Sequence, residues 1–281
     1  LVWRLLMQYF IYGLLSFVYG KWLPGKPQFK GIKPLFNFGL NMLGSKMIYY
    51  FSDNLVAILT GKLLGKEVLG VFNIAYNLAI KPSTKIQSIL TSVLASAFPK
   101  IQTDISKFRN NSMYVLRNTS LFFLPIMVVL AAASTNLIVV FYGQKWYDAG
   151  NMLLILSFVG VFRGLSHLMR NTIISAGNSR AIFYERVIEI IFSLPLMYLL
   201  MPHFGIYGLI IGYLLGSLSC WIYLSKKFDE CISKPYGVLK AIGRSVLNSS
   251  ILFIIIYSIN FIGLQFLPAL ILQLSVGTVI F

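Results

Sequence analysis

Lys81 and Lys85 stand four residues apart, and Arg163 and Arg170 seven apart, inside long apolar runs. Both spacings put the two cations on one face of a helix. Lys46 with Asp53 and Glu185 with Glu189 repeat these spacings in two further runs. Charge at membrane depth is expensive, so it faces a partner or a water-filled cavity and marks a transport path. If the cationic faces converge, they form a basic lining for an anionic head group. Arg grips phosphate oxygens bidentately, and Lys acts as a mobile point charge. The alternative is that Lys85 and Arg170 snorkel to the head groups. The carboxylates offer oxygen ligands to Na⁺ or a protonatable site to H⁺. Against that, Glu189 paired with Arg163 or Lys46 makes the charges structural.

The elements that must position these residues are membrane helices. Of the 281 residues, 57% are hydrophobic and only 11% charged, where a soluble domain carries about a quarter. Mean hydropathy is +0.77, and the apolar residues fall in runs long enough to span a bilayer. Runs lie at about 5–19, 35–60, 69–98, 113–142, 152–176, 181–201, 206–224 and 245–262, with a last one from 267. Polar connections are expected at 21–33, 99–111 and 226–244. Pro82 predicts a kink near Lys81. Gly208, Gly212 and Gly216 share one face and predict a packing seam. Asn37, Asn41 and Ser45 form a polar face suited to hydrogen bonds between helices. Tyr49, Tyr50, Phe51, Tyr76 and Tyr114 suit either sugar stacking or packing.

The net charge of +16 would suggest nucleic acid in a soluble protein. Here the basic residues flank apolar runs, which is the signature of topology. The connections at 21–33, 99–117, 163–186 and 226–244 hold 17 Lys and Arg, and the opposite connections hold three. The first set is therefore cytoplasmic. Cys220, Cys231, His167 and His203 form no disulfide framework or metal motif. Ser-His-Asp arrangements, metal clusters and phosphate loops are missing from the sequence, so no enzyme is indicated.

The run FNFGLNMLGSKMIYYFSDNLVAILTGKLLGKEVLGVFNIAYNL, then Lys81-Pro82, then AFPKIQ, resembles the polysaccharide (O-antigen-type) flippases of the multidrug/oligosaccharidyl-lipid/polysaccharide exporter superfamily. The likeness is to the branch that includes colanic acid exporters, and it extends to about Phe228. It implies an all-α, polytopic membrane bundle with a MATE-like lobe of six helices at 35–228. Residues 1–34 would be the last helix of a first lobe and its cytoplasmic linker, and 229–281 a loop and appended helices. The chain then reads as a fragment of a multi-pass protein of the bacterial inner membrane.

The resemblance implies a transporter and not an enzyme. Its substrate would be an undecaprenyl-pyrophosphate-linked oligosaccharide, turned to the outer leaflet for O-antigen, lipopolysaccharide or exopolysaccharide assembly. Lys46, Lys81, Lys85, Arg163 and Arg170 become candidates for a cationic cavity. Asp53, with Asn54 beside it, stands where related lipid II flippases and drug exporters carry a coupling acid, and Glu185 and Glu189 where they carry further ion ligands. No cofactor is implied beyond a coupling Na⁺ or H⁺. The expected partners are the lipid-linked oligosaccharide, the bilayer and other polysaccharide assembly proteins, with no nucleic acid. A drug or cation exporter on the same fold would prefer an acidic cavity, and short outer connections disfavour a membrane enzyme of glycan assembly.

Overall fold

A computed structural model describes residues 2–20, 32–101, 104–233, 235–261 and 266–280. The chain divides into two compact units, Leu1–Asn37 and Phe38–Phe281. The first contains helix α1 (Val2–Gly20) and the start of α2 (Ile32–Leu59). Most of the basic linker at 21–33 lies outside the described residues.

The second unit is helical throughout its described residues. After α2 come a π-helical turn (Thr60–Leu64), α3 (Lys66–Ile101), α4 (Ile105–Ala132) and α5 (Ser134–Tyr142). A 3₁₀ turn (Gln144–Trp146) leads to α6 (Tyr147–Ser175), α7 (Ser179–Phe204), α8 (Ile206–Ile232) and α9 (Gly237–Ser258). A further 3₁₀ turn (Ile259–Phe261) precedes α10 (Phe266–Ile280). Among the described residues, five helical segments are long and apolar enough to cross a membrane: Ser106–Ala132, Gln144–Ser175, Ser179–Phe204, Ile206–Ile232 and Gly237–Ser258. Helices α2 and α3 have 28 and 36 residues, ample for the roughly 20 residues of a crossing, but carry more polar groups. Large apolar side chains such as Tyr198, Leu199 and Leu247 point outward, as lipid-facing surfaces require.

Three expected boundaries are corrected. The polar stretch 99–111 is helical at 99–101 and again from Ile105, because Asp104 starts α4 as its N-cap; residues 102 and 103 lie outside the described residues. Its carboxylate accepts the backbone N–H groups of Ser106 and Lys107, each at 3.1 Å, satisfying donors that a helix start leaves free. The run 113–142 is two helices, broken at Ala133. The break leaves the Ala132 carbonyl to accept from Asn260 at 3.3 Å. The exposed Asn260 amide in turn joins the buried Asn136 and Gln273 in a cluster, with contacts of 2.9–3.0 Å. Neighbouring side chains are the physical route by which a membrane helix tolerates a break. The loop at 226–244 is much shorter, since α8 runs to Ile232 and α9 starts at Gly237. Helix α3 continues through Pro82, and the Ser83 hydroxyl bonds across to the Gly160 carbonyl at 2.8 Å.

Close helix pairs are α7–α8, α3–α6, α4–α9, α6–α8 and α4–α6; α2 is not among them. The glycine seam sits between α7 and α8. A Cβ on Gly212 would lie 2.6 Å from the Met197 backbone nitrogen, and one on Gly216 would lie 2.6 Å from Ser193 Cβ. Beside a small cluster of Ala132, Leu252 and Ile256, two larger apolar cores result among the described residues. One joins α4, α6, α8 and α9 around Phe123, Met169 and Phe228. The other joins α3, α6 and α8 around Phe72, Leu156 and Tyr213, and takes in Val56 from the second half of α2.

Gly212→Leu should destabilise the full-length protein by about 1–3 kcal/mol through overpacking, whereas Gly70→Ala, which meets open space, should be nearly neutral. Thermal unfolding in detergent checks the pair. Asp104 gives a second expectation. Bonds from the Ser106 hydroxyl and the Lys107 backbone hold its carboxyl down to about 2. A depressed folded-state pKa means the cap is fully present above about pH 4 and is lost as pH falls toward about 2. Hydrogen exchange in the first turn of α4 should rise over that interval and be pH-insensitive in Asp104→Ala.

Candidate functional site

Three arginines and three carboxylates meet inside the second unit. Arg163 and Arg170 come from α6, Glu185, Arg186 and Glu189 from α7, and Asp53 from α2. Arg163 donates from Nη1 to Asp53 Oδ1 at 2.6 Å and from Nη2 to Glu189 Oε1 at 3.2 Å. Arg186 Nη1 reaches Glu189 Oε2 at 2.5 Å, and its Nε lies 3.6 Å from Glu185 Oε2. Arg170 grips Glu185 bidentately, Nε to Oε2 at 3.1 Å and Nη2 to Oε1 at 2.5 Å. The Arg170 Nη1 also lies 2.6 Å from His167 Nδ1. Guanidinium has no acceptor, so this imidazole nitrogen accepts and is unprotonated.

Helical geometry dictates this ladder. Arg163 and Arg170 are seven residues apart on α6, about 10 Å of rise; Glu189 and Glu185 are four apart on α7, about 6 Å. Arg186, on the turn between them, bridges both glutamates and takes up the mismatch. The six formal charges cancel, which is what burial demands: an unpaired ion in low dielectric is far too costly to persist. Arg163, Arg186, Glu185 and Glu189 are all buried, whereas the Asp53 side chain retains 28% exposure.

Aromatic groups complete the shell. Tyr76 on α3 and Tyr213 on α8 both donate to Asp53 Oδ1, at 2.5 and 3.1 Å. The Arg163 guanidinium lies 4.8 Å from the Tyr213 ring centroid and 5.4 Å from that of Tyr49. Arg186 lies 4.6 Å from the Tyr49 centroid. These are cation–π distances. Asp53 Oδ1 therefore takes three donors, and the Arg163 Nε has no hydrogen-bond partner in the protein.

Beside the network opens a cleft of about 380 Å³ between the middle of α2 and helices α6 and α7. Ser45, Lys46 and Tyr49 line it from α2, His167 and Arg170 from α6, and Arg186 from α7. Its walls carry three cationic side chains. Asn41 reaches across toward Ser179 Oγ at 3.4 Å.

Of the residues expected from sequence, Asp53, Arg163, Arg170, Glu185 and Glu189 are brought together in the network, and Lys46 and Arg170 in the cleft. Lys81 and Lys85 are exposed on α3, outside the network and the cleft's described lining. Asn54 is exposed, its amide turned back to the Tyr50 carbonyl at 2.7 Å. Sequence reasoning passed over Arg186 and Tyr213 and took Tyr49 and Tyr76 only as aromatics. The available signal was Arg186 three residues before Glu189. Nothing in sequence separates Tyr213 from an interfacial tyrosine.

The family described as "Polysaccharide biosynthesis protein" matches residues 1–151. The lipopolysaccharide biosynthesis protein WzxC of Escherichia coli (strain K12) is 28% identical over 184 residues, covering 66% of this chain and 37% of that protein. The teichuronic acid biosynthesis protein TuaB of Bacillus subtilis (strain 168) is 30% identical over 165 residues, 58% of this chain and 34% of that one. The chain thus spans little more than a third of these relatives' lengths. Among solved structures, the lipid II flippase MurJ in an inward closed conformation matches with a TM-score of 0.67 and 19% identity, over 89% of this chain and 53% of that one. That likeness concerns the fold.

Arg163→Met leaves Asp53 and Glu189 short of a partner and should destabilise the full-length protein by about 3–5 kcal/mol. Adding Glu189→Gln should recover part of the loss, since the orphaned carboxylate goes too. A loss no larger than that from Lys81→Met, at an exposed site, would show that the network contributes nothing to stability.

Proposed function

Because the chain belongs to the polysaccharide biosynthesis protein family, we propose that the full-length protein is a flippase of the bacterial inner membrane. It would carry an undecaprenyl-pyrophosphate-linked oligosaccharide to the outer leaflet, for surface polysaccharide assembly with other proteins of that machinery. The observation that carries this reading is the basic cleft set against a charge-balanced network. Lys46 is exposed in the cleft, without a carboxylate partner in the network, so its charge is available to a pyrophosphate. Arg170 and Arg186 face the same space with fork-shaped donors suited to phosphate oxygens. In this reading residues 35–228 form a six-helix lobe, and alternating access is rocking of this lobe against another.

An inside-negative membrane opposes outward passage of an anionic head group, and ion coupling offsets that cost. Asp53 is the entry point in this proposal, as the most exposed of the three network carboxylates. A proton or Na⁺ arriving there displaces Arg163, whose guanidinium is then free to face the substrate. The added cation leaves the network one positive charge in excess, which the anionic head group drawn to Arg163 balances.

The test is made in a strain lacking the gene, with full-length variants at normal levels. Lys46→Ala removes one charge-assisted contact, worth about 1.5–3 kcal/mol, so delivery of surface polysaccharide should fall roughly tenfold or more. Lipid-linked precursor should accumulate on the inner leaflet. Lys81→Ala should deliver normally. Normal delivery by Lys46→Ala, or loss of polysaccharide without precursor accumulation, would sink the assignment.

A further inference from the structure

A second opening lies on the other side of α6. It is an apolar pocket of about 540 Å³ walled by α4, α6, α8 and α9, with Phe158, Phe162, Leu165 and Ile242 among its lining. Trp221, Ser249 and Ser250 bring polar atoms to that lining. Ser249, only 3% exposed, has a hydroxyl with no hydrogen-bond partner in the protein, and so does the Trp221 indole nitrogen. The Trp221 ring is held against Phe162 at a centroid distance of 5.9 Å. A buried donor left unpaired is destabilising by the full loss of its hydration, and native structures rarely tolerate it without a reason. Serine in a helix usually satisfies itself on the carbonyl of an earlier turn. Ser249 does not.

The pocket continues into a polar groove of about 680 Å³ at the end of α8, sharing Trp221 and Leu239 with it. This groove carries both signs of charge: Lys226, Asp229 and Glu230 line it. Glu230 already holds Lys227 at 2.7 Å, and Asp229 accepts the Val238 backbone N–H at 3.0 Å. Lys226 belongs to the basic connection assigned to the cytoplasmic side by positive-residue counting.

We propose that this groove is a binding site for a bilayer phospholipid with a zwitterionic phosphoethanolamine head. An acyl chain fills the apolar pocket. The ester carbonyls accept from Trp221 Nε1 and Ser249 Oγ, the phosphate meets Lys226, and the ammonium lies among Asp229 and Glu230. A polyprenyl chain fits the pocket's apolarity but brings no acceptor to either buried donor. A purely anionic head group leaves the two carboxylates facing a like charge. The site is separate from the basic cleft, and its lipid is a resident of the membrane, not cargo.

Native mass spectrometry of the delipidated full-length protein, titrated with phosphatidylethanolamine, phosphatidylglycerol or undecaprenyl phosphate, tests this. Phosphatidylethanolamine should bind most tightly. Trp221→Phe, which keeps the ring and removes the donor, should weaken it by roughly three- to tenfold, the value of one hydrogen bond. Gly243 lines the pocket, and a Cβ there meets nothing within 4 Å. Gly243→Phe should therefore fill the pocket and abolish retention while leaving thermal unfolding unchanged. Undiminished phosphatidylethanolamine binding in Gly243→Phe overturns the site. So does equal or tighter binding of undecaprenyl phosphate that is insensitive to Trp221→Phe, since the pocket then holds a prenyl tail. Preference for phosphatidylglycerol overturns the head-group assignment.

Discussion

Charge neutrality at depth is the constraint on which the rest of the second unit depends. Three guanidiniums and three carboxylates sit where each alone would be several kcal/mol out of place, and they are tolerable only as a set. Neutrality fixes register. Helices α6 and α7 cannot slide by a turn without separating Arg163 from Glu189 and Arg170 from Glu185. The glycine seam fixes α7 against α8 with equal strictness, because the Gly212 position leaves no room for a side chain. Helices α6, α7 and α8 thus form a rigid block, specified by electrostatics on one side and by close packing on the other.

Helix α2 is attached differently. It is absent from the close helix pairs, and a cleft opens between its middle and helices α6 and α7, although the Phe183 ring of α7 packs against Gly44. What crosses the gap is side chain: Asp53 to Arg163, and Tyr49 against two guanidiniums. Its second half joins the core through Val56, and it ends in a π-helical turn followed by Gly65 at φ +93°. Asp53 and Val56 lie one turn apart, so α2 is held to the ionic network and to the apolar core near the same point. The π-turn is a recurrent feature of functional sites, and the glycine takes a conformation that other residues resist.

Much of this was legible before any coordinates. The seven-residue spacing of Arg163 and Arg170 and the four-residue spacing of the glutamates predicted shared faces, and the pairing of Glu189 with Arg163 was one of the two readings left open. The resemblance read around residues 35–99 agrees with the family matched over 1–151. The convergence of α3, α6 and α8 on Asp53 of α2 was not legible, since no local signal says which faces meet across 110 or 160 residues. Boundaries failed for a physical reason as well. Hydropathy locates the apolar part of a helix, whereas caps and breaks depend on single side chains. Asp104 began a helix inside an apparent loop, and the amides of Asn136, Asn260 and Gln273 stabilised a break inside an apparent span.

Those amides and the ionic network are two solutions to one problem, the burial of polar groups in a medium without water. The amide cluster ties α4 and α5 to α10 through the 3₁₀ turn at Asn260. Amides are neutral and carry few donors, and every one used there has a fixed partner, which suits a joint that stays put. Arginine presents five donors in a fork, and each guanidinium in the network touches more than one acceptor or ring. Such a group can release one partner while keeping another. It is found where α2 meets α6 and α7 beside an open cleft, and the amide cluster is found where α4 and α5 meet α10.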